Sequence, residues 1–303
     1  MLRFFRKLVL TFFKINKLER RVEESKILTA RLLANQNLKD KKRINRNINL
    51  AEFKVFSQWG DDGILQYLID TLPIEHRTFI EFGVEDYKES NTRFILINNH
   101  WKGLVYDGNG SNINEIKKDD IYWKYDLVAE KQFITKANIN CLIENSGFSG
   151  EIGILSIDID GNDYWVWKEI EIVNPVIVII EYNAVFGLDR AITVPYDADF
   201  SRTKAHYSNL YFGASLRAIC MLAENKGYSF IGCTSAGNNA YFVRQGYESD
   251  LSIKTVEEGF IMSSARESRD AKGRLSFIAG QKRLEEIGGM KVFNVVTNEI
   301  EVL

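Results

Sequence analysis

Four short apolar runs, each carrying an acidic residue at its end, constrain this chain most. They read FIEFG at 79–83, LVYDG at 104–108, ILSIDIDG at 154–161 and VIIEYN at 178–183. Runs this continuously apolar suit strands buried on both faces, as in a parallel sheet with helices above and below. Helix-like stretches separate them: 61–72, 91–99, 130–145, a short one from 164, and 211–226, where Gly227 suits a left-handed cap. Strands are expected at 78–82, 103–107, 153–158 and 176–182, the last introduced by Pro175, with a weaker one at 122–127. Two more, 228–234 and 239–244, are joined only by SAGN. So short a link cannot make a parallel crossover, so that pair is antiparallel. The expected fold is α/β: a Rossmann-like, doubly wound, mostly parallel seven-stranded sheet with an antiparallel last strand, preceded by an N-terminal helical arm.

Composition narrows the class. The chain has 303 residues, 45% hydrophobic and 26% charged, ordinary for a globular protein with a sizeable core. No apolar run approaches the roughly 18 residues that span a bilayer. The three cysteines, Cys141, Cys220 and Cys233, are widely spaced and odd in number, so they read as core residues of a protein from a reducing cytoplasm.

The net charge of −2 hides an asymmetry. Residues 1–47 carry 14 Lys/Arg against 4 Asp/Glu, and the remainder is acidic. This first segment has no glycine or proline. Leu8, Phe12 and Phe13 cluster among Arg3, Arg6, Lys7 and Lys14, and Leu18, Val22, Leu28, Leu32 and Leu33 continue at roughly helical spacing. It reads as a basic amphipathic helical arm over residues 1–50. Such an arm packs on its own domain, on a second subunit, or peripherally on the inner face of a membrane. Nucleic acid is not expected as a partner, because the body is acidic and no base-stacking motif accompanies the arm.

In an open parallel sheet, ligands bind beyond the carboxyl ends of the strands. Glu81, Asp107, Asp158 with Asp160, and Glu181 all fall there. Asp107 follows Glu81 by 26 residues, at the end of the next strand, where ribose hydroxyls are gripped in Rossmann-type sites. The intervening loop, EFGVEDYKESN, keeps only Gly83 of a glycine-rich phosphate loop and adds Glu85 and Asp86. That acidity would repel a pyrophosphate but suits a cationic sulfonium. It favours S-adenosylmethionine over a dinucleotide or a nucleoside triphosphate. Gly83 alone is equally read as the residue of a tight turn.

FSQWGDDG (56–63), FIEFGV (79–84), SNT (90–92), WKGLVYDG (101–108), LSIDIDGNDYWVW (155–167) and VIIEYN (178–183), taken in order and spacing, resemble the FkbM-related methyltransferases. The nearer likeness is to bacterial members from surface-polysaccharide gene clusters. The resemblance covers about residues 53–245. It implies a class I, S-adenosylmethionine-dependent O-methyltransferase domain over 51–250, with residues 251–303 as an extension packed on it. It also implies that Glu81 and Gly83 flank the methionine part of the cofactor, that Asp107 holds the ribose, that Asp158 lies near the methyl-transfer position, and that Gln58 lines the same pocket. Where the general methyltransferase pattern commonly has a second glycine, the chain has Glu85.

Methyl transfer to a hydroxyl needs a base or a metal to take up its proton. Asp158 and Asp160 share one side of a strand end. With Glu181 and Asn183 they make a set of oxygen donors that suits Mg²⁺. Asp158, Asp160 and His206 are the candidate catalytic residues, His206 because it sits in the long loop after the fifth strand. Tyr196, Asp197, Tyr207 and Tyr211 share that loop and suit either sugar stacking or ordinary packing. His76 and His100 precede strands, on the far side from the ligand. The IDID segment also resembles the DxD of metal-dependent nucleotide-sugar glycosyltransferases, and a non-catalytic scaffold on the same fold is a third reading. One of Asn162 and Asp163 is expected to cap the helix from 164. Arg266, Arg269, Lys272, Arg274, Lys282 and Arg283 read as a solvated helix face with acidic neighbours, or else as a site for a phosphate-bearing acceptor, and KVFNVV (291–296) as a small extra strand. The leading expectation is a cytoplasmic methyltransferase for a glycan or a sugar-bearing precursor.

Overall fold

The computed structural model describes the backbone of residues 2–303 and the side chains of residues 14, 15 and 17–303. The expected cluster of Leu8, Phe12 and Phe13 with Arg3, Arg6 and Lys7 lies outside the described side chains. The chain opens with the long helix α1 (Leu2–Lys39), then α2 (Lys41–Ile44) and α3 (Asp61–Thr71). Strands and helices then alternate: β1 (Thr78–Phe82), α4 (Arg93–Asn99), β2 (Lys102–Asp107), α5 (Gly110–Lys118), α6 (Ile121–Lys124), β3 (Leu127–Lys131), α7 (Ile139–Asn145), β4 (Gly150–Ile157), α8 (Asp163–Glu169) and β5 (Val173–Glu181). There follow β6 (Ile192–Thr193), α9 (Arg202–Ala205), α10 (Leu216–Asn225), β7 (Tyr228–Cys233) and β8 (Asn239–Arg244). The chain ends with α11 (Val256–Gly259), α12 (Gln281–Glu286), β9 (Lys291–Asn294) and β10 (Glu299–Val302).

Seven strands form one sheet in the order β3-β2-β1-β4-β5-β8-β7. All neighbours pair in parallel except β8, which runs antiparallel to β5 on one side and to β7 on the other. The chain builds outward from β1 to β3, then returns to lay β4 against the other side of β1. The sheet order therefore reverses between β1 and β4, and a ligand crevice is expected beyond their carboxyl ends. A smaller antiparallel sheet, β10-β9-β6, stands beside it.

Alternation of side chains splits the core into two layers. Phe79, Val105, Ile154, Ile177 and Ile179 pack with Ile64, Leu65 and Leu68 of α3, with Phe94 to Leu96 of α4, and with Ala30 of α1. Ile80, Phe82, Leu104, Leu155, Val178 and Ile180 pack with Ile139 and Ile143 of α7, with Trp165 to Trp167 of α8, and with Leu216 and Ile219 of α10. Each such side chain, taken fully out of water, stabilises by about 1.5–3 kcal/mol. The apolar run Val176 to Ile180 is buried because helices cover both faces of its strand.

Several boundaries differ from expectation. The third strand is β3 (Leu127–Lys131), not 122–127. Tyr122 and Trp123 favour strands, but α6 follows Asp120, and Lys124 closes the turn on that carboxylate at 2.9 Å. The helix expected at 130–145 is only α7, because β3 takes its start. The helix expected from 211 begins at Leu216, where Ser215 caps it by accepting the amide of Ala218. β5 begins before Pro175, which pairs with Ile152 of β4; β8 joins only from Ile177. Arg266, Arg269, Lys272 and Arg274 lie in irregular backbone rather than on a helix, and Arg283 is buried. Cys141 is exposed on α7 rather than in the core. The extra strand near the end is β9.

α1 lies on the body through its C-terminal half. Ala30 is buried, and Arg31 and Arg20 reach Asn98 and Asp120. Ile15, Leu18, Val22, Leu28, Leu32 and Leu33 stay exposed, and Leu18, Val22 and Leu33 border an apolar groove between α1 and the segment at Phe53 and Val55. No helix among the described residues is long and apolar enough to cross a membrane.

Candidate functional site

A cleft of about 590 Å³ opens beyond the carboxyl ends of β1, β2, β4 and β5. Eight carboxylate residues and one arginine line it. The loop after β1 forms one wall. Gly83 has φ +73°, and a Cβ there would stand 1.6 Å from the carbonyl oxygen of Asp158. Only glycine lets the β1 and β4 ends approach this closely. Glu85 has the left-handed φ of +49°.

Two acids expected to grip the cofactor also hold this wall together. Glu81 is buried, and its carboxylate accepts the amides of Asn91 (2.9 Å) and Thr92 (3.1 Å) and the Thr92 hydroxyl (2.5 Å). Burial pushes its carboxyl above the usual range, and these donors oppose the shift. Asp107 accepts the Glu85 amide on Oδ2 (2.9 Å), and the Asn109 amide (2.7 Å) and Asn112 Nδ2 (3.0 Å) on Oδ1. It ties the loops after β1 and β2 into one rim. Both residues line the cleft, as does Gln58, whose side chain is exposed. Behind Gln58, Asp62 Oδ2 gathers the amides of Val55, Phe56 and Ser57 at 2.7–2.8 Å and shapes the preceding segment. Phe133, half-exposed after β3, closes the side of the cleft next to Gly108.

The opposite wall carries the acid cluster. One carboxylate oxygen from each of Asp158, Asp160 and Glu181 lies within 4.8 Å of the others. Burial and then the neighbouring Asp160 push Asp158 well above the usual carboxylate range. Burial and then Asp158 do the same to Glu181. Asp160 has φ +56°, an uncommon conformation for an aspartate. Asp163 braces the turn by accepting the amides of Ile159 (2.8 Å) and Gly161 (2.9 Å). Asn162, the other residue expected there, fixes Nδ2 on the carbonyl of Asp197 at 2.7 Å.

Arg202, which the sequence did not single out, belongs to this cluster. Its Nη1 donates to Asp160 at 2.6 Å, its Nε donates to the carbonyl of Asn209, and its guanidinium lies 3.7 Å from the ring centre of Phe212. It opens the short helix α9, 42 residues from Asp160, and that separation gives no local pattern. The only available signal was a cation in a loop facing several acids.

Two expected site residues lie elsewhere. Asn183 is not in the cation set: its Nδ2 donates to the carbonyls of Leu210 and Phe212, and its Oδ1 accepts the amide of Val185. Two residues past Glu181, its side chain turns inward to cap the next turn. His206 does not line the cleft. Its Nδ1 meets the Ser208 hydroxyl at 2.8 Å, its ring packs 4.3 Å from Tyr207, and burial lowers its pKa. Tyr196, Tyr207 and Tyr211 pack on Trp165, Glu286 and the Lys291 carbonyl rather than into the cleft. His76 and His100 are exposed away from it.

The chain matches no protein-family model and no curated protein. Among solved structures it is similar to the N-terminal domain of EvdMO1 with S-adenosylhomocysteine bound, at 10% identity and TM-score 0.40, over 62% of this chain and 80% of that one. It is similar to an S-adenosylmethionine-dependent methyltransferase from Clostridium acetobutylicum at 8% identity and TM-score 0.39, over 61% and 91%. It is also similar to an O-methyltransferase from Bacillus cereus in complex with S-adenosylhomocysteine, at 13% identity and TM-score 0.37, over 70% and 90%.

Proposed function

We propose that the chain is an S-adenosylmethionine-dependent O-methyltransferase acting on a hydroxyl of a glycan or glycan precursor. The observation that carries this reading is the cleft itself: it opens at the switch point between β1 and β4, and acids dominate its lining. Such a lining disfavours a pyrophosphate and favours a cationic sulfonium. S-adenosylmethionine supplies an electrophilic methyl group. The residues present fit it. Gly83 keeps the floor between β1 and β4 open to backbone depth, and the Asp107 rim, with one oxygen accepting only a single hydrogen bond, can take a ribose hydroxyl. Phe133 offers an aromatic face for a base.

On the acceptor side, Asp158 and Glu181 stand where a hydroxyl proton would be released. Burial first, and then the neighbouring carboxylates, raise their proton affinity, so that the ionised form of either is a stronger general base. Asp160 and Arg202 hold the turn that presents Asp158. A hard cation such as Mg²⁺ on the same carboxylates would assist by lowering the hydroxyl pKa. Residues 51–250 are read as the catalytic unit, with 251–303 as its extension. The exposed apolar stripe on α1, within a basic segment, supports contact with a second subunit or with the cytoplasmic face of a membrane.

The test is transfer of a labelled methyl group from S-adenosylmethionine to nucleotide sugars and polysaccharide fragments, with the product sugars hydrolysed and identified. An O-methyl sugar formed by the native protein and not by Asp158→Asn supports the reading. Absence of transfer together with Mn²⁺-dependent binding of a nucleotide sugar would replace it with glycosyl transfer, since Asp158 and Asp160 do share a carboxylate cluster.

A further inference from the structure

We infer that Arg283 and Arg202 form a binding site for a phosphate group carried by the acceptor, at the edge of the cleft away from the cofactor. Arg283 belongs to α12 and is only 7% exposed. Its Nε is buried without a hydrogen-bond partner, and among the described residues no carboxylate pairs with its guanidinium. Glu286, one turn further along the helix, is taken up by the Tyr207 hydroxyl at 2.8 Å. Arginine is almost never buried unless it is paired, because an unmatched charge gives up its hydration for nothing in return. A buried guanidinium left in this state describes a place for an anion.

The fold sets a second guanidinium near it. Burial and then Arg202 lower the pKa of Arg283, so the charge that reaches it is another cation. Arg202 lines the cleft, with Nη1 on Asp160 and Nε on the carbonyl of Asn209, which leaves Nη2 for a further acceptor. Packing explains how the two arginines meet. Leu284 and Ile287, the neighbours of Arg283 in sequence, pack with Val185 and Phe186 just after β5 and with Phe200, Leu210 and Tyr211 of the loop that carries Arg202. Phe200 also lines the cleft, and Glu267, from the segment leading to α12, lies on its rim. Two guanidiniums held together repel each other, and an anion between them replaces that repulsion with two attractions.

The pair selects phosphate among anions. Two guanidiniums bring two positive charges and planar forks that match phosphate oxygens, whereas a carboxylate would neutralise only one of them. The acidic loop after β1 repels phosphate at the cofactor end. At the other end Arg202 already covers Asp160, and no carboxylate raises the pKa of Arg283. The cleft is thus divided between an acid-lined half for a cationic cofactor and a basic edge for an anionic acceptor. Of the six basic residues between 266 and 283, only Arg283 is buried. A sugar phosphate or a nucleotide sugar carries the required group. Its assignment to the acceptor rests on the methyltransferase reading, while the anion site itself does not.

The test begins with the full chain without S-adenosylmethionine, so that its failure is separate from failure of the methyltransferase reading. Inorganic phosphate is titrated against chloride at constant ionic strength and followed by calorimetry and by melting temperature. The expected result is one saturable phosphate per chain and a raised melting temperature, with binding weakened about tenfold or more in Arg283→Gln and in Arg202→Gln. Lys282→Gln removes the same charge from the exposed neighbouring position and should bind as the native chain does. No saturable binding by the native chain at tens of millimolar phosphate, or equal binding by the native chain and Arg283→Gln, would overturn the site. If Arg283→Gln fails to fold, the melting temperatures of the native chain and Arg202→Gln decide: a rise with phosphate in the first and not in the second is expected, and no rise in the first, or an equal rise in both, overturns the site. With S-adenosylmethionine present, Arg283→Gln should raise KM for a sugar phosphate about tenfold with kcat kept within about twofold, and leave KM for the same sugar without phosphate unchanged. Unchanged KM for the sugar phosphate would overturn its assignment to the acceptor.

Discussion

The carbonyl oxygen of Asp158 lies 1.6 Å from the point where a side chain on residue 83 would begin, so Gly83 and Asp158 meet backbone to backbone across the switch point of the sheet. Gly83→Ala therefore faces both this clash and the left-handed φ of +73°. The variant is expected to lose more than about 4 kcal/mol of stability, or to fold only by moving the loop and losing cofactor affinity. Urea unfolding and S-adenosylhomocysteine binding check the two parts separately.

Asp107 acts through the rim it ties. Asp107→Ala frees the amides of Glu85 and Asn109 and the side chain of Asn112, and it removes the expected ribose acceptor. Affinity for S-adenosylhomocysteine should fall at least a hundredfold, measured by calorimetry. Asp107→Asn retains an acceptor oxygen and should fall less. Unchanged affinity in both variants would remove Asp107 from the cofactor site.

Asp62 should matter more to stability than an acid on a surface does. Its Oδ2 accepts three backbone amides and the Ser57 hydroxyl in a buried setting. Asp62→Ala leaves those amides unmatched and should cost about 3–5 kcal/mol in denaturant unfolding. Because the held segment leads to Gln58 on the cleft, cofactor affinity should fall in the same variant.

Thiol chemistry provides an independent check on the packing. Cys141 is exposed, whereas burial pushes Cys220 up to about 12 and also raises the buried Cys233. A thiolate-specific reagent at pH 8 should label one cysteine per native chain and three after denaturation. Rapid labelling of two or more in the native protein would contradict the packing around α10 and β7.

The sheet was legible because its central strands are apolar on both faces. β1, β2, β4 and β5 each read as an unbroken run with an acid at its carboxyl end. β3 was not, because it is an edge strand in which only Leu127 and Ala129 are buried, and the aromatic residues before it look more strand-like than it does. The same logic divides the site. Glu81, Asp107, Asp158 and Glu181 follow from strand ends, whose direction a parallel sheet dictates. Asn183 sits one turn too far, where the backbone curls and its amide turns inward. Arg202 reaches Asp160 only through the path of a long loop, which no local periodicity encodes.

The proposed function requires that the cleft between β1 and β4 hold S-adenosylmethionine. It is tested most directly by calorimetric titration of the full chain with S-adenosylhomocysteine, with Gly83→Ala and Asp107→Ala as controls. Saturable micromolar binding at one molecule per chain is expected, lost in whichever of the two variants folds. No binding by the native protein, or binding indifferent to Gly83 and Asp107, would contradict it.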